Sequence, residues 1–444
     1  MRQAISERPI EYLSIPCVAA FVGISTNWMG VNMLFYPIEY LGVDWYRPDK
    51  NCPYGIFGWQ GVVPARTEKM ASRLVDIVTK DLLSLKEAFS HIEPRKLAGL
   101  LSSPVEEAVR RESGEWWAYV LKPVLPFVLE RVLTALSRDI EDVLDLPHVV
   151  LDAFVRDKIV LVELFQKVGR VELDFLVKSG FGFGFVLGLA QMGFWAIKPY
   201  TWTLPIAGSL VGYVTNWIAI KLLFEPADPV YIGPLVLQGL FESRQVEVSD
   251  EFGHFLESRV LSSPQLLGAL SNHNEEELFV FLRKELPPPI PEHIIYAAMQ
   301  AIRNVAANPE KYDEIHRYVA KRLNIEETLS SRLKLLTPKS FENLLHPVFE
   351  EDEIILIVVG GVLGAITGLM QTRLGWGGHN AKAKAVATLV GSLSLSAFFF
   401  FLPEIQQKPE VKPISTPTGN YESAYDRAPP KIKRRNTVLR PKNF

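Results

Sequence analysis

The stretch 205–226, PIAGSLVGYVTNWIAIKLLFEP, decides how the whole chain reads, because 16–37, PCVAAFVGISTNWMGVNMLFYP, copies it. A constant shift lays Pro16, Val22, Gly23, Thr26, Asn27, Trp28, Leu34, Phe35 and Pro37 on Pro205, Val211, Gly212, Thr215, Asn216, Trp217, Leu223, Phe224 and Pro226. Each copy holds about 20 mostly apolar residues, the length a helix needs to cross a hydrocarbon core about 30 Å thick. Both therefore read as membrane spans. Ala19 and Gly23 in one, Gly208 and Gly212 in the other, stand one turn apart, a small-residue spacing that lets helices approach closely.

A second pair of apolar runs repeats in the same way. Residues 179–197 carry Gly184, Gly188, Leu189 and Gln191, and residues 354–370 lead into Gln371 through Gly364, Gly368 and Leu369, each spelling G-x-x-x-G-L-x-Q. A fifth apolar run covers 385–402. After each T-N-W span the copies stay parallel through QGVVPAR, with Gln60, Gly61 and Arg66, and QGLFESR, with Gln238, Gly239 and Arg244. Short strand-like pieces are expected to flank this Gln-Gly turn. The first copy alone carries an aromatic, Pro- and Gly-containing insertion, VDWYRPDKNCPYGIFGW, which reads as an ordered loop near the membrane surface.

The regions between the spans have helical periodicity. In 124–144, Leu125, Leu129, Val132, Leu136, Ile140 and Val143 recur every three or four residues, which predicts one amphipathic helix. Ser103-Pro104 ahead of Glu106 and Glu107 predicts another helix start, and the same LSSP recurs at 261–264. Further helical runs are expected over 275–283, 291–306, 312–323 and 341–349, with 287–291 as a Pro-rich connector.

The expected fold is thus an all-α membrane protein with about five transmembrane helices, two helical bodies and an internal tandem repeat. Its plan runs from an N-terminus and first span (1–36) to a first body (37–178), a hairpin of spans two and three (179–224), a second body (225–352), a hairpin of spans four and five (353–402) and a disordered basic tail (403–444). Two crossings per repeat place both bodies on one face, with the repeats parallel about the membrane normal. Cationic residues do not decide the side: Lys198, Arg373, Lys382 and Lys384 argue for cytosolic links, Arg66, Arg244 and the tail for cytosolic bodies, and the second orientation is preferred.

Composition agrees. Across 444 residues, 48% are hydrophobic and mean hydropathy is +0.11, which is high for a wholly soluble chain. A net charge of −3 supplies no field for nucleic acid, and Cys17 and Cys52 form neither a disulfide framework nor a zinc site by themselves.

The T-N-W-hydrophobic-A-I-K-x-L-F-x-P run from Thr215 to Pro226, followed by the Gly/Gln/Arg turn and closed by the glycine-glutamine span, resembles the bacterial YheB-like membrane proteins, a domain-of-unknown-function family numbered 445. The second repeat fits best, while the first departs at Met29, Gly30 and Asn32. The resemblance covers most of the chain outside tail and insertion. It implies a membrane-embedded helical protein and no particular activity.

Thr26, Asn27, Thr215 and Asn216 lie inside spans, where an unpaired polar group is costly, so each needs a partner in another helix or in a cavity. They read either as a polar site at the bundle centre or as interhelical hydrogen bonds fixing the packing, with Gln191 and Gln371 as candidate partners. Lys221 is either an ion or substrate ligand or a residue snorkelling to the interface. The glycine pairs Gly184/Gly188, Gly208/Gly212 and Gly364/Gly368 read as helix-packing surfaces. Arg66 and Arg244, where the chain leaves the membrane, either contact lipid phosphates or cap body helices. Lys431, Lys433, Arg434 and Arg435, beside Thr437, form a basic cluster suited to anionic lipid. The histidines are scattered and the carboxylate pairs suit solvated faces, so no catalytic, cofactor or metal site is predicted, and the protein is expected not to be an enzyme. A membrane scaffold binding lipid or a partner is the preferred function; a small-solute carrier or channel is the alternative.

Overall fold

The structure, a computed structural model, describes residues 9–43, 52–55, 57–197, 202–272, 275–286 and 290–373. The fifth apolar run, the tail with its basic cluster and part of the insertion lie outside the described residues.

The first T-N-W span is α1 (Pro9–Phe35), followed by three short strands, β1 (Leu41–Val43), β2 (Tyr54–Gly55) and β3 (Phe57–Trp59), in the antiparallel order β1-β3-β2. The helices α2 (Val62–Ala65), α3 (Thr67–Asp76), α4 (Leu85–Ser90), α5 (Pro94–Ser113), α6 (Glu115–Leu121), α7 (Leu125–Arg138), α8 (Ile140–Val143), α9 (Leu146–Arg156) and α10 (Lys158–Val168) follow. The glycine span is α11 (Arg170–Ile197). The second half begins with the T-N-W span α12 (Thr203–Phe224) and the hairpin β4 (Val230–Ile232) and β5 (Leu235–Leu237). It continues through α13 (Leu240–Ser243), α14 (Gln245–Phe255), α15 (Ser263–Asn272), α16 (Glu275–Glu285), α17 (Glu292–Ala307), α18 (Asp313–Leu323) and α19 (Ile325–Lys334) to the long α20 (Pro338–Arg373).

Among the described residues, four apolar helices pack as two pairs. α1 packs along α11 and α12 along α20, and the pairs touch through α11 with α12 and α1 with α20. Their outer faces are apolar and exposed: Phe181, Val186, Ile206, Leu210, Trp217, Val358 and Val362 point away from the bundle. A helix that hides glycine and shows Phe and Val is built for lipid rather than water. Among the described residues, three helices, over Ile15–Phe35, Arg170–Phe194 and Thr203–Phe224, are long and apolar enough to cross a membrane, and a shorter apolar stretch covers Ile357–Met370.

Beyond the spans, the two soluble segments share a core. Leu74, Val150, Phe154 and Leu161 from the first segment join Phe255, Leu266, Leu329 and Phe341 from the second in one buried cluster. The exchange is reciprocal. The wide π-helical turn Ile77–Leu82 packs on α19, and its counterpart Leu256–Val260 packs on α9. In each, the residue after the turn donates its N–H five residues back, Leu83 to Val78 O at 2.8 Å and Leu261 to Leu256 O at 2.7 Å. Both soluble segments therefore lie at the same end of the span bundle.

The span-to-body junction has one geometry in both halves. The Tyr36–Pro37 and Glu225–Pro226 bonds are both cis. Gly61 N–H donates to Pro37 O (2.8 Å) and Gly239 N–H to Pro226 O (2.9 Å), while the Gln60 and Gln238 amides reach Ile38 O (2.8 Å) and Ala227 O (3.0 Å). Glycine is required at the turn because a Cβ on Gly61 would stand 2.6 Å from Phe35 C, and one on Gly239 2.8 Å from Phe224 C.

Several expected boundaries move. Residues 341–349 and the fourth span are one helix, α20, and the second span starts nine residues early, at Arg170, as a body helix running into the bilayer. The single amphipathic helix expected over 124–144 breaks after Arg138, whose guanidinium grips the Asp139 carboxylate through Nε (2.8 Å) and Nη2 (2.7 Å). Ser103-Pro104 does not start a helix: Pro104 sits inside α5, where Leu97, Leu101, Val105 and Ala108 form one buried stripe. Tertiary packing along that stripe outweighs the backbone bond a proline removes. Ser263-Pro264, by contrast, does open α15.

Candidate functional site: the polar residues between the spans

The T-N-W residues are buried where the paired helices come closest. Thr26, Asn27, Thr215 and Asn216 are all at most 4% exposed. Thr26 Oγ1 donates to its own helix, to Val22 O (2.9 Å) and Gly23 O (3.1 Å), and Thr215 Oγ1 to Gly212 O (3.2 Å). Asn27 instead crosses the interface, its Nδ2 donating to Leu176 O on α11 at 2.7 Å. That carbonyl sits one turn before Gly180, whose missing side chain admits the amide: a Cβ on Gly180 would lie 2.7 Å from Asn27 Nδ2. In the second pair, Asn216 Cγ stands 2.9 Å from where a Cβ of Gly360 would be.

The glycines expected to pack do so. Gly184 lies against Ala19 O, Gly188 against Pro16 Cα, Gly364 against Gly208 and Gly368 against Pro205 Cα. Gly212 faces Gly360. Gly180 and Gly360, one turn ahead of the G-x-x-x-G pairs, extend the same four-residue spacing and face Gly23 and Gly212.

Asn27 does not take Gln191 as its partner. Asn27 uses a backbone carbonyl, and Gln191 lines a small crevice between the pairs with Ile15, Gly208, Gly364 and Thr367. That crevice measures about 30 Å³. The Gln371 side chain lies outside the described residues. Lys221 bonds Glu225 at 2.5 Å, one turn on, with nearly half of its side chain exposed at the end of the span.

Arg244 turns inward. Its Nη1 meets Glu172 Oε1 at 2.6 Å and its Nε meets Glu247 Oε2 at 2.8 Å, with its side chain 16% exposed. Glu172, on the first turn of α11, is buried, and its Oε2 has no partner among the described residues. This pair ties the glycine span of the first half to the junction of the second. Arg66 occupies the matching bend, with φ −110° and ψ 21° against −109° and 19° at Arg244.

A separate pair sits in the body. Buried His316 receives the Ser263 hydroxyl at Nδ1 (3.0 Å), and its Nε2 lies 2.9 Å from Val305 O. A carbonyl only accepts, so Nε2 carries the proton and Nδ1 is the acceptor. Burial pushes the His316 pKa down, opposed by the Val305 bond. Both residues line a cleft of about 330 Å³ with His254, Glu257, Asp313 and Glu326. Ser263 and His316 are too distant in sequence for any spacing rule to join them. Among the described residues no group of three or more His, Cys, Asp or Glu is placed to hold a metal.

These features define a helical integral membrane protein: apolar spans, polar residues used inside them, and a helical body beyond them. The comparisons agree with that class. The chain is similar to a UPF0754 membrane protein of Geobacillus thermodenitrificans, 27% identical over 198 residues, covering 38% of this chain and 52% of the relative. UPF0754 membrane protein BCAH187_A1042 of Bacillus cereus is 24% identical over 178 residues, covering 38% and 45%. The Microcystis aeruginosa relative is 57% identical over 35 residues, 8% of each chain. The chain thus spans about half the length, or less, of the relatives it matches. No family model and no solved structure matches it.

Proposed function

We propose that this protein is a non-enzymatic membrane scaffold of the YheB-like type, whose body, held at the bilayer by two helix pairs, binds lipid or a protein partner. The observation that carries this reading is the use made of the span polar groups. The Asn27 Nδ2 is committed to Leu176 O, its Oδ1 is buried without a hydrogen-bond partner among the described residues, and the threonine hydroxyls bond their own helices, with a crevice of about 30 Å³ between the pairs. Such a space admits about two water molecules at most, too little for a solute path. The basic cluster Lys431, Lys433, Arg434 and Arg435 would add about 1 kcal/mol of attraction to anionic lipid per charge.

Cysteine accessibility tests it. In a Cys17→Ser, Cys52→Ser background, Asn27→Cys and Asn216→Cys proteins in vesicles are treated with a membrane-impermeant thiol reagent from each side. The scaffold reading expects both cysteines to stay unlabelled until the protein is unfolded. Rapid labelling from either side of the folded protein would replace it with the carrier reading.

A further inference from the structure

The shared core of the soluble body is not filled. Between the two segments lies a cavity of about 70 Å³, walled by Phe89, Leu101 and Leu133 from one side and Leu267, Ile302 and Val319 from the other. Protein interiors close most voids of this size, because every lining atom beside one loses dispersion contacts. Its single hydroxyl, Ser137 Oγ, is spent on Phe89 O at 2.8 Å, so the wall offers nothing to a water molecule. Leu133, Leu136, Leu267 and Ile302 are only partly buried, so the wall reaches toward the surface.

The surface beside Ser137 is cationic. Arg138 follows it in the chain and grips Asp139. Lys284 and Lys86, both exposed, act on the same carboxylate, which Arg138 chiefly holds below the usual range. Three cations thus share this patch with two carboxylates, Asp139 and Glu285, which leaves one net positive charge next to an apolar hole.

We propose that this cavity is a lipid site, taking the end of one hydrocarbon chain whose anionic head lies at Arg138, Lys86 and Lys284. The lining excludes a polar ligand, the charge selects an anionic head over a neutral or cationic one, and a body fixed at a bilayer meets such amphiphiles at high local concentration. The site deepens the scaffold reading by naming its lipid and rests on that reading's membrane-held body, while cysteine labelling at Asn27 and Asn216 tests that reading without touching this site.

Photolabelling of the full chain in lipid nanodiscs tests it. Two probes carry a diazirine at the chain terminus, a free fatty acid and a diacyl phosphatidic acid. The proposal expects one of them to label peptides of α7 or α15, and which one does identifies the source. Leu133→Trp and Leu267→Trp, each filling the hole, should reduce that labelling about tenfold, the effect of expelling about two buried methylenes. Should the tryptophan variants not fold, Arg138→Glu, a surface change, should still cut labelling severalfold and spare labelling by the corresponding fatty alcohol. Labelling confined to the spans, or body labelling indifferent to all three variants and to unlabelled competitor, would overturn the site.

Discussion

Gly23 and Gly180 face one another across the first helix pair so closely that a Cβ on Gly23 would stand 2.9 Å from Gly180 C, and one on Gly180 2.7 Å from Gly23 C. Gly212 and Gly360 repeat the contact, with Cβ positions 2.8 Å from Gly360 C and 2.7 Å from Gly212 O. A single methyl must therefore push the helices apart. Gly180→Ala is expected to lose about 1–3 kcal/mol in reversible unfolding in mixed micelles. Gly182→Ala, with nothing within 4 Å of its new Cβ, should lose no stability and gain up to about 1 kcal/mol from helix propensity, and serves as the control.

Asn27→Leu removes the 2.7 Å bond to Leu176 O. Interhelical bonds of this kind contribute about 0.6–2 kcal/mol, so the same unfolding assay should register a loss in that range. Thr26→Val, which removes only bonds within its own helix, is expected to cost less. Equal and negligible effects of both substitutions would contradict a packing role for the asparagine.

The Glu172–Arg244 pair should behave as a buried charge pair. Arg244→Met strands a carboxylate that is almost fully enclosed and is expected to cost about 3–5 kcal/mol. Glu172→Gln combined with Arg244→Met should recover a large part of that loss, because no charge is then left buried alone. A double-mutant cycle in thermal unfolding measures the coupling, and strict additivity would rule it out.

Burial of His316 sets the sign of one pH dependence of the body. Its pKa is lower folded than unfolded, so below the unfolded value, near 6.5, the unfolded chain binds the proton first. Stability from this group is complete above that value and declines as pH falls toward the folded pKa. Glu257, raised by burial, works oppositely: its contribution is full below the unfolded carboxylate value and is lost as pH rises through its folded pKa. The measurement is therefore a difference. Melting temperatures of wild type and His316→Gln, compared from pH 7.5 down to pH 5, should converge as pH falls.

Much of this molecule is legible in the chain itself. A run of twenty apolar residues interrupted by Thr-Asn-Trp, and another carrying glycines four apart, state where lipid must be and which face must hide, since bilayer thickness and helical period leave little choice. The Gln-Gly-Arg turn marked both junctions for the same reason: local backbone geometry demands those residue types wherever they occur.

What the tertiary structure alone decided is who meets whom. That Asn27 takes a carbonyl of Leu176 rather than an amide of Gln191, that Arg244 closes on Glu172, and that two soluble segments share one core around an unfilled hole are long-range pairings. Periodicity says which face of a helix is apolar but not which neighbour covers it. Contact between distant segments is chosen by the fit of whole surfaces, and no local pattern of residues encodes that fit.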